Sequence, residues 1–221
     1  MMTILFDLDG TLLDSTEGVI HAFLKMARLN KLSLSVDPSL FVGPPMTESL
    51  YKYFGFDFEK CLALTNHFRE IYKNESLFKA RLYDDVLDVL AGLKNMDTKL
   101  AVVTNKSHDN AYSLIEHFGL LKYFDYVIGS DLDGKNSKSN LILKCLNELK
   151  VSSKNTYYIG DSESDRVAAR ANGIKFIGVS YGFGYSPNDK KDYIYPSLKK
   201  AVLSIYSNFY QASELCAPRP I

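Results

Sequence analysis

The chain has 221 residues, 46% of them hydrophobic and 13% aromatic, a composition that suits a filled globular core and excludes a disordered or fibrous chain. Its 26 basic and 26 acidic residues cancel, so there is no electrostatic footprint for nucleic acid or for an anionic membrane surface. No apolar run nears the ~18 residues of a membrane helix, and three scattered cysteines, Cys61, Cys145 and Cys216, make neither a disulfide framework nor a zinc site.

The first element, TILFD at 3–7, is an apolar run of strand length that ends on carboxylates. Asp7, Asp9 and Asp14 follow one another closely, with Gly10 and Thr11 between them. Residues 15–80 then read as helices only, Gly18–Leu29, Met46–Phe54 and Phe58–Ser76, with the turn-rich SVDPSLFVGPPMTES among them. An insert of that size after a first strand predicts a small helical cap over the carboxyl edge of a sheet, hinged near Ser15 and Arg81.

Beyond residue 80 strand and helix alternate. KLAVVTN (99–105) precedes SHDNAYSLIEHFG, which opens on a Ser107 cap and closes at Gly119. FDYVIGSD (124–131) precedes SKSNLILKCLNELK, with Leu141, Cys145 and Leu149 on one face. TYYIGD (156–161), the helix SESDRVAARANG ending at Gly173, and IKFIGVS (174–180) complete the series. Strands that are continuously apolar pair in parallel with both faces covered. The fold class is therefore α/β: a doubly wound, Rossmann-like parallel sheet with an inserted α-helical cap. The expected division is 1–14 and 81–208 for the core, 15–80 for the cap, and 209–221 for a loose tail carrying two prolines.

Ligands of open α/β sheets bind outside the carboxyl ends of the strands. Here those ends carry Asp7, Asp9, Thr104, Asn105, Asp131, Asp133, Asp161 and Asp165. Carboxylates crowded together repel unless a cation neutralises them, and a site of hard oxygen ligands selects Mg²⁺. Asp14 reads as a helix cap or turn former, and Asp131 with Asp133 as loop-shaping residues. The four histidines, His21, His67, His108 and His117, lack ligand spacing.

DLDGT at 7–11, VVTN at 102–105, Lys138 and GDSESD at 160–165 resemble, in order and position, the four motifs of the haloacid dehalogenase-like hydrolases. The resemblance spans about residues 3–184 and includes a helical cap between the first two motifs. VGPPMTESL, GSDLDGKNSKSNLI and GVSYGFG are similar to the branch of phosphoglycolate phosphatases and 5′-nucleotidases. It implies Asp7 as nucleophile, Asp9 as acid and base, and Lys138, rather than the nearby Lys135, as the cation beside the transferring group. It also implies Thr104 and Asn105 as phosphate ligands, and Mg²⁺ held by Asp7, the Asp9 main-chain carbonyl and Asp161, with Asp165 at the edge of its shell. Gly43, Pro44 and Pro45 of the cap loop would face the leaving group.

Within the family, Asp9 argues against a dehalogenase, which lacks the second carboxylate. A sugar-phosphate mutase, the alternative, carries a cap histidine ten residues after the acid/base aspartate, where this chain has Val19. Nothing around Lys25, in the first cap helix, marks it as the Schiff-base lysine that a phosphonatase needs. The expected protein is a cytoplasmic phosphatase of small phosphomonoesters, monomeric or homodimeric, with no nucleic-acid or membrane partner. A silent regulatory module on this fold is the reading from another class, and the intact carboxylate set argues against it.

Overall fold

The computed structural model describes residues 1–96, 98–131, 136–189 and 191–215, with side chains as far as 207. Asp133, Lys135 and Cys216 lie outside the described residues. Five of the strands fall where the apolar runs place them: β1 (Thr3–Phe6), β4 (Lys99–Ser107), β5 (Tyr126–Ser130), β6 (Thr156–Gly160) and β7 (Lys175–Val179). All pair in parallel, and a short β8 (Ile194–Tyr195) extends the sheet to the order β5-β4-β1-β6-β7-β8. The chain leaves β1 first toward β4 and β5 and then returns to its other side with β6, so the topological switch lies at β1.

Both faces of the sheet are covered. Leu5, Ala101, Val103 and Tyr158 pack against α6 (Lys138–Leu149) and α7 (Glu163–Ala171), where Leu141, Cys145 and Leu149 are buried on one face as their spacing requires. Ile4, Phe6 and Val102 face α4 (Val86–Lys94), α5 (His108–His117) and α8 (Leu198–Leu215). Ser107 sits at the N-cap of α5, but its side chain makes no cap hydrogen bond. α8 runs through Leu215, so residues 209–215, expected as part of a loose tail, continue a helix whose buried Leu198, Ala201, Val202 and Ile205 anchor it to the sheet.

The helices of the first segment are α1 (Thr16–Leu29), α2 (Met46–Phe54) and α3 (Phe58–Ile71). α3 passes into a π-turn, Tyr72–Ser76. They pack around Phe23 and Phe41, whose rings stack at 3.8 Å. The segment enters and leaves through an antiparallel ribbon of β2 (Leu13–Asp14) and β3 (Arg81–Leu82). Asp14 accepts the Thr16 N–H two residues on at 3.0 Å, the bond of a turn former at the entry to α1, and pairs with Arg81 at 2.9 Å. The N-cap of α1 itself is Ser15, whose side chain makes no cap hydrogen bond.

Phe41→Ala should remove a ring 1% exposed and lower stability by roughly 3–5 kcal/mol, read as an earlier midpoint in urea unfolding.

Candidate active site

Asp7 follows β1 directly, and its N–H donates to the Ile159 carbonyl of β6 at 2.9 Å. This ties the carboxylate to the centre of the sheet. The chain then turns sharply: the N–H groups of Leu12 and Leu13 both reach back to the Leu8 carbonyl. Gly10 sits in this turn at φ +78°, and a Cβ there would come 2.3 Å from Asp161 Oδ2. Only glycine lets the turn carry Asp9 round while Asp161 approaches so closely.

Asp161 ends β6 and is held from the opposite side. Its Oδ2 accepts the main-chain N–H groups of Phe183 (2.6 Å) and Gly184 (3.1 Å), in the loop that follows β7. Gly182 of that loop lies so close that a Cβ on it would meet the Gly10 carbonyl oxygen at 2.2 Å. Asp165, in the first turn of α7, forms a capping box with Ser162, accepting its N–H at 3.1 Å and its hydroxyl at 2.6 Å. Its other oxygen accepts from Lys138 Nζ. Lys138 opens α6, is 7% exposed, and stands 2.9 Å from Asp7 Oδ2.

The electrostatics follow from this crowding. One carboxylate oxygen from each of Asp7, Asp161 and Asp165 falls within 4.8 Å of the others. Burial pushes the Asp7 carboxyl up to about 7; Lys138 opposes the rise and the Asp165 and Asp161 charges add to it. Asp161 is pushed up to about 6, first by burial and then by Asp165. Burial also disfavours the Lys138 ammonium, but Asp7, Tyr158 and Asp165 outweigh it and hold its pKa well above the usual lysine value. Fully ionised, three carboxylates beside one ammonium leave two negative charges, which one divalent cation would balance. Asp7 Oδ1 is buried without a hydrogen-bond partner, so an acceptor stands ready for such an ion. Both Asp165 oxygens are engaged by Lys138 and Ser162, which suits a place at the edge of the shell.

Above these groups is a cavity of about 660 Å³. Asp7, Asp9, Thr104, Asn105, Lys138 and Asp161 line it from the sheet edge, and Gly43, Pro44 and Pro45 from the helical segment. Thr104 is buried, with Oγ1 accepting the Lys106 N–H at 3.2 Å. Asp165 stands behind the wall. Of the loop residues, Asp131 accepts from Asn136 at 2.8 Å, away from this cavity. Val19 lines it, whereas His21 turns to Ser76 at 2.7 Å.

Sequence reasoning missed Lys106, whose Nζ lies 3.2 Å from Asp9 Oδ2, and the main-chain N–H groups of Phe183 and Gly184. Lys106 carries a signal, since it stands two residues after Thr104 on the same strand. The alternating glycines of YGFG at 181–184 are the corresponding signal for the Asp161 cradle.

A model of the family described as haloacid dehalogenase-like hydrolase matches residues 4–179. A 5′-nucleotidase of Pseudomonas aeruginosa is 34% identical over 187 residues, covering 82% of this chain and 83% of that protein. A phosphoglycolate phosphatase of Neisseria meningitidis is 30% identical, covering 83% of this chain and 82% of that one. The crystal structure of a predicted phosphatase from Clostridium acetobutylicum superposes with a TM-score of 0.84 at 34% identity, covering 93% of this chain and 98% of that one.

Asp7 and Asp161 bind protons more readily in the folded chain than in the unfolded one, so without metal their contribution to stability is present below about pH 4. It is lost as pH rises through about 6 and 7. In EDTA the thermal midpoint should fall between pH 5 and pH 8 by roughly 4 °C or more, about what 2 kcal/mol is worth in a chain of this size. Mg²⁺ should restore it, more at pH 8 than at pH 5. Gly182→Ala should displace Asp161 and weaken Mg²⁺ binding by roughly tenfold or more, measured by titration calorimetry.

Proposed function

The chain belongs to the haloacid dehalogenase-like hydrolase family, and we propose that it is a Mg²⁺-dependent phosphatase acting on a small phosphomonoester through an aspartyl-phosphate at Asp7. That it is a phosphoric monoester hydrolase rests on the family match and on its phosphatase relatives. The observation that carries the mechanism is Asp7 itself: its side chain lines the cavity, with Oδ2 held by Lys138 and Oδ1 buried without a hydrogen-bond partner.

In the first step a carboxylate oxygen of Asp7 forms a bond to phosphorus as the ester P–O bond breaks, and the departing oxygen takes a proton from Asp9. In the second, Asp9 takes a proton from water, whose oxygen attacks the phosphorus of phospho-Asp7. Inorganic phosphate leaves and the Asp7 carboxylate is restored. Thr104 and Asn105 hydrogen-bond the phosphoryl oxygens, and the Lys138 charge offsets the negative charge gathered at the transferring group. Asp7, Asp161 and the Asp9 main-chain carbonyl are the groups that would hold Mg²⁺, which when bound supplies charge neutralisation between nucleophile and phosphate.

The helical segment, residues 15–80, serves as the cap. Its Gly43–Pro45 loop meets the leaving group, and its ribbon entry near Ser15 and Arg81 provides the hinges. A cavity of about 660 Å³ accommodates a compact ester such as phosphoglycolate or a nucleoside 5′-monophosphate. The cap aromatics Tyr51, Tyr53, Phe54 and Phe56 do not line it; Phe41, Phe68 and Phe183 do. Val19 in the wall, with His21 bound to Ser76, weighs against the mutase alternative.

Turnover of a panel of phosphate esters should require Mg²⁺ and vanish on chelation. Asp7→Asn should form no phosphoenzyme with any donor. Asp9→Asn should fail on alkyl phosphates yet accumulate a phosphate adduct from acetyl phosphate, seen by intact-protein mass spectrometry after acid quench. A phosphate adduct on Asp7→Asn, or none on a folded, metal-binding Asp9→Asn, overturns the assignment.

A further inference from the structure

Lys106 belongs to none of the roles assigned above, yet it is the side chain that joins the sheet edge to the helical segment beside the reacting groups. It stands near the end of β4, is 10% exposed, and lies 3.2 Å from Asp9 Oδ2. The same Nζ donates to the Tyr72 hydroxyl at 2.9 Å and lies 4.5 Å from the centre of that ring. Tyr72 opens the π-turn that ends the helical segment, is 5% exposed, and stacks on Phe68 of the cavity wall. Asp9 Oδ1 has no hydrogen-bond partner, so the lysine contact is what orients that carboxylate.

We propose that Lys106 is a positioning residue that pins the Asp9 carboxylate for proton transfer and is itself pinned by Tyr72 of the helical segment. The proposal rests on the reading of Asp9 as acid and base. The ammonium holds the carboxylate through Oδ2, while Oδ1 is buried without a partner, so the lysine contact fixes how the group is turned. A lysine chain has four rotatable carbons and wanders unless its head is anchored at more than one point. Tyr72 supplies the second anchor. The acid is therefore fully set only while the π-turn sits over the end of β4, which links the seating of the helical segment to the readiness of Asp9. Tyr72 is the first residue of a π-turn, a feature uncommon in itself and frequent at functional sites.

The test compares phenyl phosphate, whose leaving group needs an acid, with 4-nitrophenyl phosphate, whose leaving group needs it little, in saturating Mg²⁺. Lys106→Met should lower kcat/KM about tenfold more for phenyl than for 4-nitrophenyl phosphate, a part of the ~100-fold or more that a general acid contributes. The loss should lie in kcat, with KM little moved. Added to Asp9→Asn, the same substitution should cost almost nothing further, because both act through one carboxylate. Tyr72→Phe deletes one oxygen, preserves the buried ring, and should give a smaller loss with the same leaving-group pattern; it carries the test if Lys106→Met does not fold.

A raised KM at unchanged kcat would make Lys106 a substrate ligand and overturn the proposal. So would equal losses on both substrates, or full additivity with Asp9→Asn. If Asp9→Asn itself is blind to the leaving group, the reading of Asp9 falls and the Lys106 role falls with it. If Asp9→Asn is sensitive while Lys106→Met and Tyr72→Phe are blind, the Lys106 role alone falls.

Discussion

Everything at the sheet edge is arranged around one buried ammonium. Lys138 touches Asp7 and Asp165 at once, in surroundings where an unpaired charge costs several kcal/mol. Its presence makes it tolerable to end β1 on a carboxylate inside the protein. Its single charge is also too small for the three carboxylates it faces. The shortfall of two is what a dication would make good. The Asp161 cradle of Phe183 and Gly184 and the capping box of Asp165 and Ser162 each turn donors toward a carboxylate that would otherwise be repelled by its neighbours.

The parallel sheet makes this convergence possible. Parallel strands deliver all their carboxyl ends to one edge, and the switch at β1 opens a crevice between the turns that follow β1 and β6. Asp7 from β1, Thr104 from β4 and Asp161 from β6 come from segments far apart in the chain, yet they are neighbours because their strands are hydrogen-bonded to one another. The Asp9–Lys106 pair forms a second, locally neutral unit beside the Lys138 cluster. The site thus holds two differently balanced sets of charges: one closed by the protein's own cation, the other left open by design of the sequence.

The strands of the sheet were legible because burial on both faces makes each a continuous apolar run, a signal that survives without any alignment. The short β2, β3 and β8 left no such mark, since two residues carry no period. Val86, Val89, Leu90 and Leu93 of α4 do carry the helical spacing, but a reading centred on strand-length runs passes over them. Asp7, Asp9, Thr104, Lys138 and Asp161 were legible as motifs in order along the chain. Lys106 and Tyr72 were not paired, because their meeting depends on how the π-turn seats against β4. The extension of α8 to Leu215 was hidden for a different reason: the prolines that signal a loose end lie beyond it.

The ribbon of β2 and β3 has a consequence for the architecture as a whole. Leu13 pairs with Leu82 and Asp14 with Arg81, so the chain leaves the sheet and comes back to it at almost the same point. Whatever lies between is attached like a pendant on a closed clasp. Its length and internal shape are free to vary while the strands on either side keep their register, because loop closure is already secured by the clasp and grows costlier only slowly with length. The sheet edge and the insert are in this sense separable in connectivity: exchanging the pendant would leave the strand-end carboxylates where they are, and would take with it what the insert itself brings to them, Tyr72 and its contact to Lys106.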